Sequence, residues 1–131
     1  MSEVRRDNRC FVCGQDNPHG LRLVFAYPEP GSAETELVIP ERFSGWERLT
    51  HGGLLATLLD EAMAYACLKN AGNAVTAEIN VRYLKPVEVG QKVRVRGRVQ
   101  AVKGRVVETE GEILNPEGEV AARGKARFLM M

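Results

Sequence analysis

Residues 52–71 read GGLLATLLDEAMAYACLKNA and predict one long α-helix. Apolar side chains cover most of its circumference, so the helix should be buried on most sides. At the usual rise per residue it is about 30 Å long. Lys69 and Asn70 suit a helix C-terminus, and Gly72 suits the residue that ends it. We therefore expect a domain built around a single central helix.

The segments on both sides of this helix alternate apolar and polar residues. This period of two is typical of strands with one buried and one wet face. Two strands are predicted before the helix and four after it, at residues 21–26, 34–39, 77–83, 93–101, 107–113 and 120–128. One long helix with such strands indicates an α+β fold, in which an antiparallel sheet wraps around the helix.

The wet faces of two consecutive predicted strands carry opposite charges. Cross-strand ion pairs support a hairpin modestly. The facing residues are all even-numbered, so the loop should hold an odd number of residues, three with Gly104 at positive φ. Charge pairing favours a solvated sheet face over a nucleic-acid stripe. The residues concerned are Arg94, Arg96, Arg98, Glu108, Glu110 and Glu112.

Length and composition limit the possible functions. The 131 residues fit one domain, 1–131, and 44% apolar with 27% charged residues is ordinary for a globular protein. The net charge of +1 provides no strong field for nucleic acid or an anionic membrane, so neither is expected as a partner. Met1–Asn8 is polar, without a signal-peptide core. Three cysteines without an export signal favour a reducing cytoplasm.

Residues 1–19 form a polar N-terminal arm that contains Cys10 and Cys13 in a Cys-x-x-Cys motif. The spacing, with His19 nearby, is compatible with a zinc knuckle, but a structural zinc site usually needs four ligands and no second pair follows. Cys67 lies inside the predicted helix. A redox motif usually opens a helix in a βαβ unit, which is absent. We therefore expect a packed or partly exposed arm and no metal ligands.

The start of the helix carries the sharpest chemical signal. Thr50-His51-Gly52-Gly53 places two poor helix formers where a helix begins. Glycine there permits close approach of a ligand to backbone N–H groups that lack intrahelical acceptors. Such groups favour negative charge, including a transient oxyanion. The other interpretation is an ordinary loop-to-helix turn.

Asp60 and Glu61 are the acids within this apolar helix. Consecutive positions point about 100° apart, so only one can face a given site and act as a base or nucleophile. Alternatively, both lie on a narrow wet stripe with Thr57. Gly52 and Asp60 are separated by about 12 Å along the axis, so one helix cannot readily supply both groups to one carbonyl. Two antiparallel helices in a symmetric dimer could do so.

Together these residues resemble the PaaI-like branch of the hot-dog-fold acyl-CoA thioesterases. In that pattern an Asp follows a His-Gly-Gly by nine residues from the His, as Asp60 follows His51. The stretch 75–86, VTAEINVRYLKP, also matches the family, as do CFVCG at 10–14 and NPHGL at 17–21. The resemblance covers nearly the whole chain and implies a hot-dog fold.

The resemblance also implies roles for individual residues. Asp60 would be the general base or nucleophile, and the Gly52 N–H would bind the thioester oxygen. His51 and Gly53 would shape the turn, and Thr76 would help to hold the attacking water. Some relatives carry an Asn or Gln six residues before the His, where this chain has Gly45.

The expected function is hydrolysis of an acyl-CoA to the free acid and CoA by a homodimer or a dimer of dimers. CoA is part of the substrate, and no separate cofactor is expected. Arg82 and Lys85 are weak candidates for the CoA phosphates. Phe43 and Trp46 would cover the core or border the acyl pocket, and we expect the former. The alternatives are an acyl-thioester hydratase or dehydratase, which would use His51, and a non-catalytic acyl-CoA-binding module.

Overall fold

The structure, a computed structural model, describes residues 7–131. Residues 1–6 of the predicted arm lie outside the described residues. The elements are β1 (Ser32–Val38), a 3-10 turn (Glu41–Phe43), α1 (Gly52–Ala71), β2 (Ala74–Tyr83), β3 (Lys92–Lys103), β4 (Val106–Leu114) and β5 (Val120–Met130). The predicted strand at 34–39 corresponds to β1 within two residues.

The five strands form one antiparallel sheet in the order β1-β3-β4-β5-β2, and α1 packs against it. The predicted helix and its end at Gly72, which has φ +103°, are confirmed. Leu58, Leu59 and Ala62 on α1 are fully buried. This confirms the α+β fold with a sheet around one central helix. None of the helical segments within 7–131 has the length and hydrophobicity that crossing a bilayer requires.

A row of glycines lets the helix lie directly on the sheet. Gly97, Gly111 and Gly124 are paired side by side on β3, β4 and β5. A Cβ atom at Gly97 would lie 2.5 Å from the backbone carbon of Ala62 on α1, closer than packed atoms can approach. Glycine is therefore required at this point because the helix backbone itself occupies the space.

The predicted strand at 21–26 is wrong. Arg22 has φ +53°, which breaks the extended conformation. The N–H groups of Leu21 and Leu23 donate to the carbonyls of Phe11 and Val12 in the arm instead of to a strand. Only Ala26 forms an isolated bridge to β1. The apolar alternation in this segment reflects side chains that pack on the core and not strand pairing.

Strand β2 also differs from the prediction of one buried and one wet face. Almost all of its residues are exposed on both faces. β2 lies at the edge of the sheet and pairs with β5 on one side only, and within one chain neither of its faces is fully covered. Val75, Ile79 and Tyr83 are therefore large apolar or aromatic side chains left at 37–52% exposure within the chain.

The charged hairpin is confirmed, but its loop is not. Arg96 pairs with Glu112 at 3.6 Å and Arg98 with Glu110 at 3.3 Å. The connection holds two residues rather than three, and Gly104 at its first position has φ +62°. A bulge between Val99 and Ala101 places one additional residue on β3. The even-numbered charged residues therefore still face each other, although the loop holds an even number of residues.

Candidate active site

The first turn of α1 is shaped by His51. This residue is the N-cap, and its Nδ1 accepts a hydrogen bond of 2.8 Å from the Gly53 N–H. Because Nδ1 accepts, it carries no proton in this arrangement. A Cβ at Gly53 would lie 3.0 Å from Nδ1, so glycine fits the cap where a larger residue would crowd it.

This cap leaves the preceding amide available. The Gly53 N–H is satisfied by His51, whereas the Gly52 N–H donates to no acceptor within residues 7–131. An N–H at the start of a 20-residue helix also lies at the positive end of the helix dipole. The predicted donor, Gly52, is therefore the one that remains free to bind an anionic oxygen.

Tyr83, at the end of β2, contacts this turn, and the sequence analysis did not predict the contact. Its hydroxyl donates to the Gly52 carbonyl oxygen at 2.7 Å, joining the end of β2 to the start of α1. This contact fixes the orientation of the peptide group between Gly52 and Gly53. A residue 31 positions away on a strand gives no local signal of such a role, since the contact depends on the sheet order.

Eight residues further along α1, the Asp60 Oδ1 accepts a hydrogen bond of 2.7 Å from the Thr76 hydroxyl. A register shift between Thr76 and Glu78 interrupts β2 directly after the threonine. Bulges of this kind redirect side chains, which explains how Thr76 reaches the helix. The structure thus joins two of the predicted site residues and leaves the second carboxylate oxygen of Asp60 without a protein donor within residues 7–131.

The two adjacent acids diverge as predicted. Asp60 contacts Thr76, whereas the Glu61 carboxylate lies against the arm, 3.5 Å from the Cys10 Sγ. Burial raises the pKa of the Cys13 thiol to about 12, and its hydrogen bond to Glu61 acts in the same direction. A protonated thiol is a poor nucleophile, which argues against a redox role for Cys13. The side chains of Cys10, Cys13 and Glu61 lie close together, and His19 is not among them.

A groove of about 240 Å³ runs beside the free Gly52 amide. Its walls include Trp46, Leu55, Tyr83 and Leu84. Trp46 is 83% exposed, so the expectation that it covers the core is wrong. Phe43 does pack against the core, as expected.

The predicted phosphate ligands differ in their surroundings. The Lys85 ammonium is bound to Glu119 and holds the pKa of that carboxyl below its ordinary value. Arg82 is paired in register with Arg123 on β5, and no carboxylate of residues 7–131 lies within 4.0 Å of either guanidinium. Of the two predicted residues, Arg82 is therefore the one whose side chain has no carboxylate partner among residues 7–131.

Gly45 lies against the capping histidine. A Cβ at this position would be 3.2 Å from the His51 Cα, tighter than ordinary packing. A longer amide side chain of the kind seen in some relatives would therefore require the loop to shift. The Gly45 N–H donates to the Leu49 carbonyl, which closes the loop on itself.

Known proteins resemble this chain in sequence and in fold. Human acyl-coenzyme A thioesterase 13 is 26% identical over 80 residues, which is 60% of this chain and only 57% of that protein. The Escherichia coli PaaI protein superposes with a TM-score of 0.77 at 22% identity, over 83% of each chain. The smu.793 protein of Streptococcus mutans, solved bound to acetyl CoA, superposes with a TM-score of 0.78 at 17% identity, over 100% of this chain and 95% of that one.

These similarities confirm the predicted hot-dog fold and the resemblance to PaaI-like thioesterases. The family model of the thioesterase superfamily matches residues 48–122, more than half of the chain. That segment contains the capping histidine, the free amide of Gly52 and the Asp60–Thr76 pair. By sequence and by fold, the chain belongs to the thioesterase superfamily.

Proposed function

We propose that this protein hydrolyses acyl-CoA thioesters to the free acid and CoA. The Gly52 N–H would stabilise the oxyanion of the tetrahedral intermediate, and Asp60 would activate water as a base or attack as a nucleophile. His51 and Gly53 would hold the turn, and Thr76 would hold the Asp60 carboxylate. The reaction requires no cofactor, since CoA enters as part of the substrate.

The observation that carries this proposal is that only one of the two glycine N–H groups at the helix start has an acceptor. His51 satisfies one N–H and leaves the Gly52 N–H free, on the same helix that carries the Thr76-bonded Asp60. A thioester carbonyl needs an N–H donor for its oxygen and a carboxylate near its carbon. The family match and the acyl-CoA thioesterase relative support the choice of substrate class.

A complete site would form between two chains. Gly52 and Asp60 lie eight residues apart on one helix, about 12 Å along its axis. A base must lie within hydrogen-bond reach of the attacking group, so one chain supplies the two functions to different carbonyls. In a symmetric dimer with antiparallel helices, the Gly52 amide of one chain meets the Asp60 of the other.

The edge strand β2 supports such a dimer. Its outer side has no strand partner within residues 7–131, and Val75, Ile79 and Tyr83 are exposed along it. Long exposed edges with apolar side chains are usually covered in soluble proteins. Pairing of two β2 edges would cover them, and a dimer of two such dimers is the larger assembly that we consider.

CoA phosphates would bind at the end of β2. Arg82 and Arg123 are cross-strand neighbours on β2 and β5, and Lys85 lies in the groove beside Gly52. The acetyl CoA named with the smu.793 structure supports CoA as the carrier group.

Cys10, Cys13 and Cys67 are free thiols, which agrees with a reducing compartment such as the cytoplasm.

A panel of acyl-CoAs tests the proposal. Free thiol released from aromatic, short-chain and long-chain acyl-CoAs would be measured with the purified full chain, and we expect turnover with at least one class. Crotonyl-CoA hydration, followed as loss of the enoyl absorbance, would instead indicate a hydratase that uses His51. Tight binding of every class without thiol release would indicate a binding module and contradict the proposal.

The Thr76 hydroxyl gives a test of how Asp60 is positioned. Because misplacing a reacting group by about 1 Å can cost about 100-fold in rate, Thr76→Val should lower kcat by about 10- to 100-fold. Valine suits a strand and should leave the thermal stability close to that of the wild type. Thr76→Ser, which retains the hydroxyl, is the matched control and should recover most of the activity. Equal kcat values for all three proteins would remove Thr76 from the site.

A further inference from the structure

We propose that Cys10, Cys13 and Glu61 bind a Zn²⁺ ion that clamps the N-terminal arm to helix α1. The two sulfur atoms and a carboxylate oxygen lie within 4.8 Å of one another, and all three residues are half-buried. Glu61 is 51 residues from Cys10, so the third ligand could not be identified from the sequence spacing. The proposal does not depend on the thioesterase activity.

The loop that carries the cysteines has the internal hydrogen bonds of a metal knuckle. The backbone N–H groups of Val12 and Cys13 both donate to the Cys10 Sγ, at 3.3 and 3.4 Å. The Tyr65 hydroxyl is hydrogen-bonded to the Cys13 thiol. Donors directed at sulfur stabilise a ligating thiolate and fix its orientation.

Backbone contacts within the loop define its shape without an ion. Its Gly14 N–H donates to the Cys10 carbonyl at 2.8 Å, and a Cβ at Gly14 would lie 2.4 Å from the Cys10 nitrogen. Val12 between the cysteines is 2% exposed and anchors the loop in the core. The cysteines are therefore held on the side of the arm that faces α1.

The distances suit zinc. With Zn–S near 2.3 Å and Zn–O near 2.0–2.2 Å, a tetrahedral site has a sulfur–oxygen edge of about 3.5–3.7 Å. The Cys10 Sγ and the Glu61 Oε2 are 3.5 Å apart. Two sulfurs and one carboxylate form a donor set that zinc accepts and that magnesium and calcium do not favour. The fourth position would be taken by water in the cavity of about 250 Å³ that these residues line.

Such a clamp would tie the arm to the neighbourhood of the candidate active site. Phe11, between the ligands, is 58% exposed and lines a second groove at the helix start, together with His51 and Gly53. Glu61 directly follows Asp60 on α1. The ion is thus a structural element that fixes one wall of this groove, and it takes no part in thioester cleavage.

Cobalt provides a direct spectroscopic test with the full chain. Metal would be removed by a chelator under reducing conditions, and Co²⁺ then titrated into the protein. We expect a thiolate-to-cobalt charge-transfer band and tetrahedral d–d bands that saturate at one ion per chain and are displaced by Zn²⁺. Zinc should also raise the melting temperature, because binding to the folded state alone stabilises it.

Three variants and one control complete the test. Cys10→Ser, Cys13→Ser and Glu61→Gln should each weaken Co²⁺ binding by at least about 10- to 100-fold. Cys67→Ala, which removes the buried thiol elsewhere on α1, should bind like the wild type. Absence of the charge-transfer band in the wild type would overturn the proposal, as would wild-type affinity in any of the three ligand variants. If a cysteine variant fails to fold, the wild-type spectrum and Glu61→Gln still decide.

Discussion

Asp60→Asn should lower kcat for acyl-CoA hydrolysis by about 10²- to 10⁴-fold, the range that a positioned base or nucleophile contributes. Asparagine has nearly the same shape and can still accept the hydrogen bond that Thr76 donates at 2.7 Å. The fold and substrate binding should therefore persist while the ability to take a proton or attack carbon is lost. The measurement is thiol release with the best acyl-CoA of the panel, together with KM and melting temperature.

The control for this change is Glu117→Gln. Glu117 lies in the exposed turn between β4 and β5, so its substitution removes the same charge from a site away from α1. It should leave kcat at the wild-type value. Wild-type kcat in Asp60→Asn, with the dimer intact, would remove Asp60 from the mechanism.

Single-turnover hydrolysis in ¹⁸O-labelled water separates the two roles of Asp60. If Asp60 is a base, the first product acid carries one oxygen from water. If Asp60 is a nucleophile, its carboxylate displaces CoA and forms a mixed anhydride with the acyl group. Water that attacks the Asp60 carbonyl carbon of this anhydride leaves an unlabelled oxygen in the first product acid and puts the label into Asp60, an outcome that a base cannot produce.

Gly52→Pro should lower kcat by about 10²- to 10³-fold, the usual cost of losing one oxyanion donor. Proline removes the N–H, and at the first position of a helix it fits the backbone without loss of a helical hydrogen bond. The preceding residue, His51, already has the extended conformation, with ψ 132°, that proline requires before it. The loss should thus appear in kcat and not in stability.

Gly52→Ala is the matched control because it adds a Cβ but retains the N–H. That Cβ would lie 3.4 Å from the Tyr83 ring, at the limit of ordinary contact, so activity should remain well above that of the proline variant. If alanine and proline reduce kcat equally, the loss comes from crowding against Tyr83 and the N–H is not the donor.

The sequence predicted the parts of this fold that depend on local pattern. Helix α1 was predicted with its ends at Gly52 and Ala71 because capping and hydrophobicity are encoded within the helix itself. The charge-paired strands β3 and β4 were predicted for the same reason. The spacing of Asp60 and Glu61 also required that their carboxylates diverge, as they do.

The remaining features depend on contacts between distant segments. The segment at 21–26 resembles a strand in pattern, but the arm takes its backbone hydrogen bonds. The two-residue turn at Gly104 depends on a bulge several residues away. Tyr83 reaches the Gly52 carbonyl only because β2 lies at the edge where α1 begins, and Glu61 meets the cysteines only because the arm folds back.

The most direct test uses mixed dimers in which one chain carries Asp60→Asn and the other Gly52→Pro. Chains with different affinity tags would be co-expressed, purified as heterodimers, confirmed by mass and assayed for thiol release. If each site combines the Gly52 amide of one chain with the Asp60 of the other, one of the two sites is intact and about half of the wild-type activity remains. Activity as low as that of either mutant homodimer would show that the two groups do not meet across subunits, and would contradict the account.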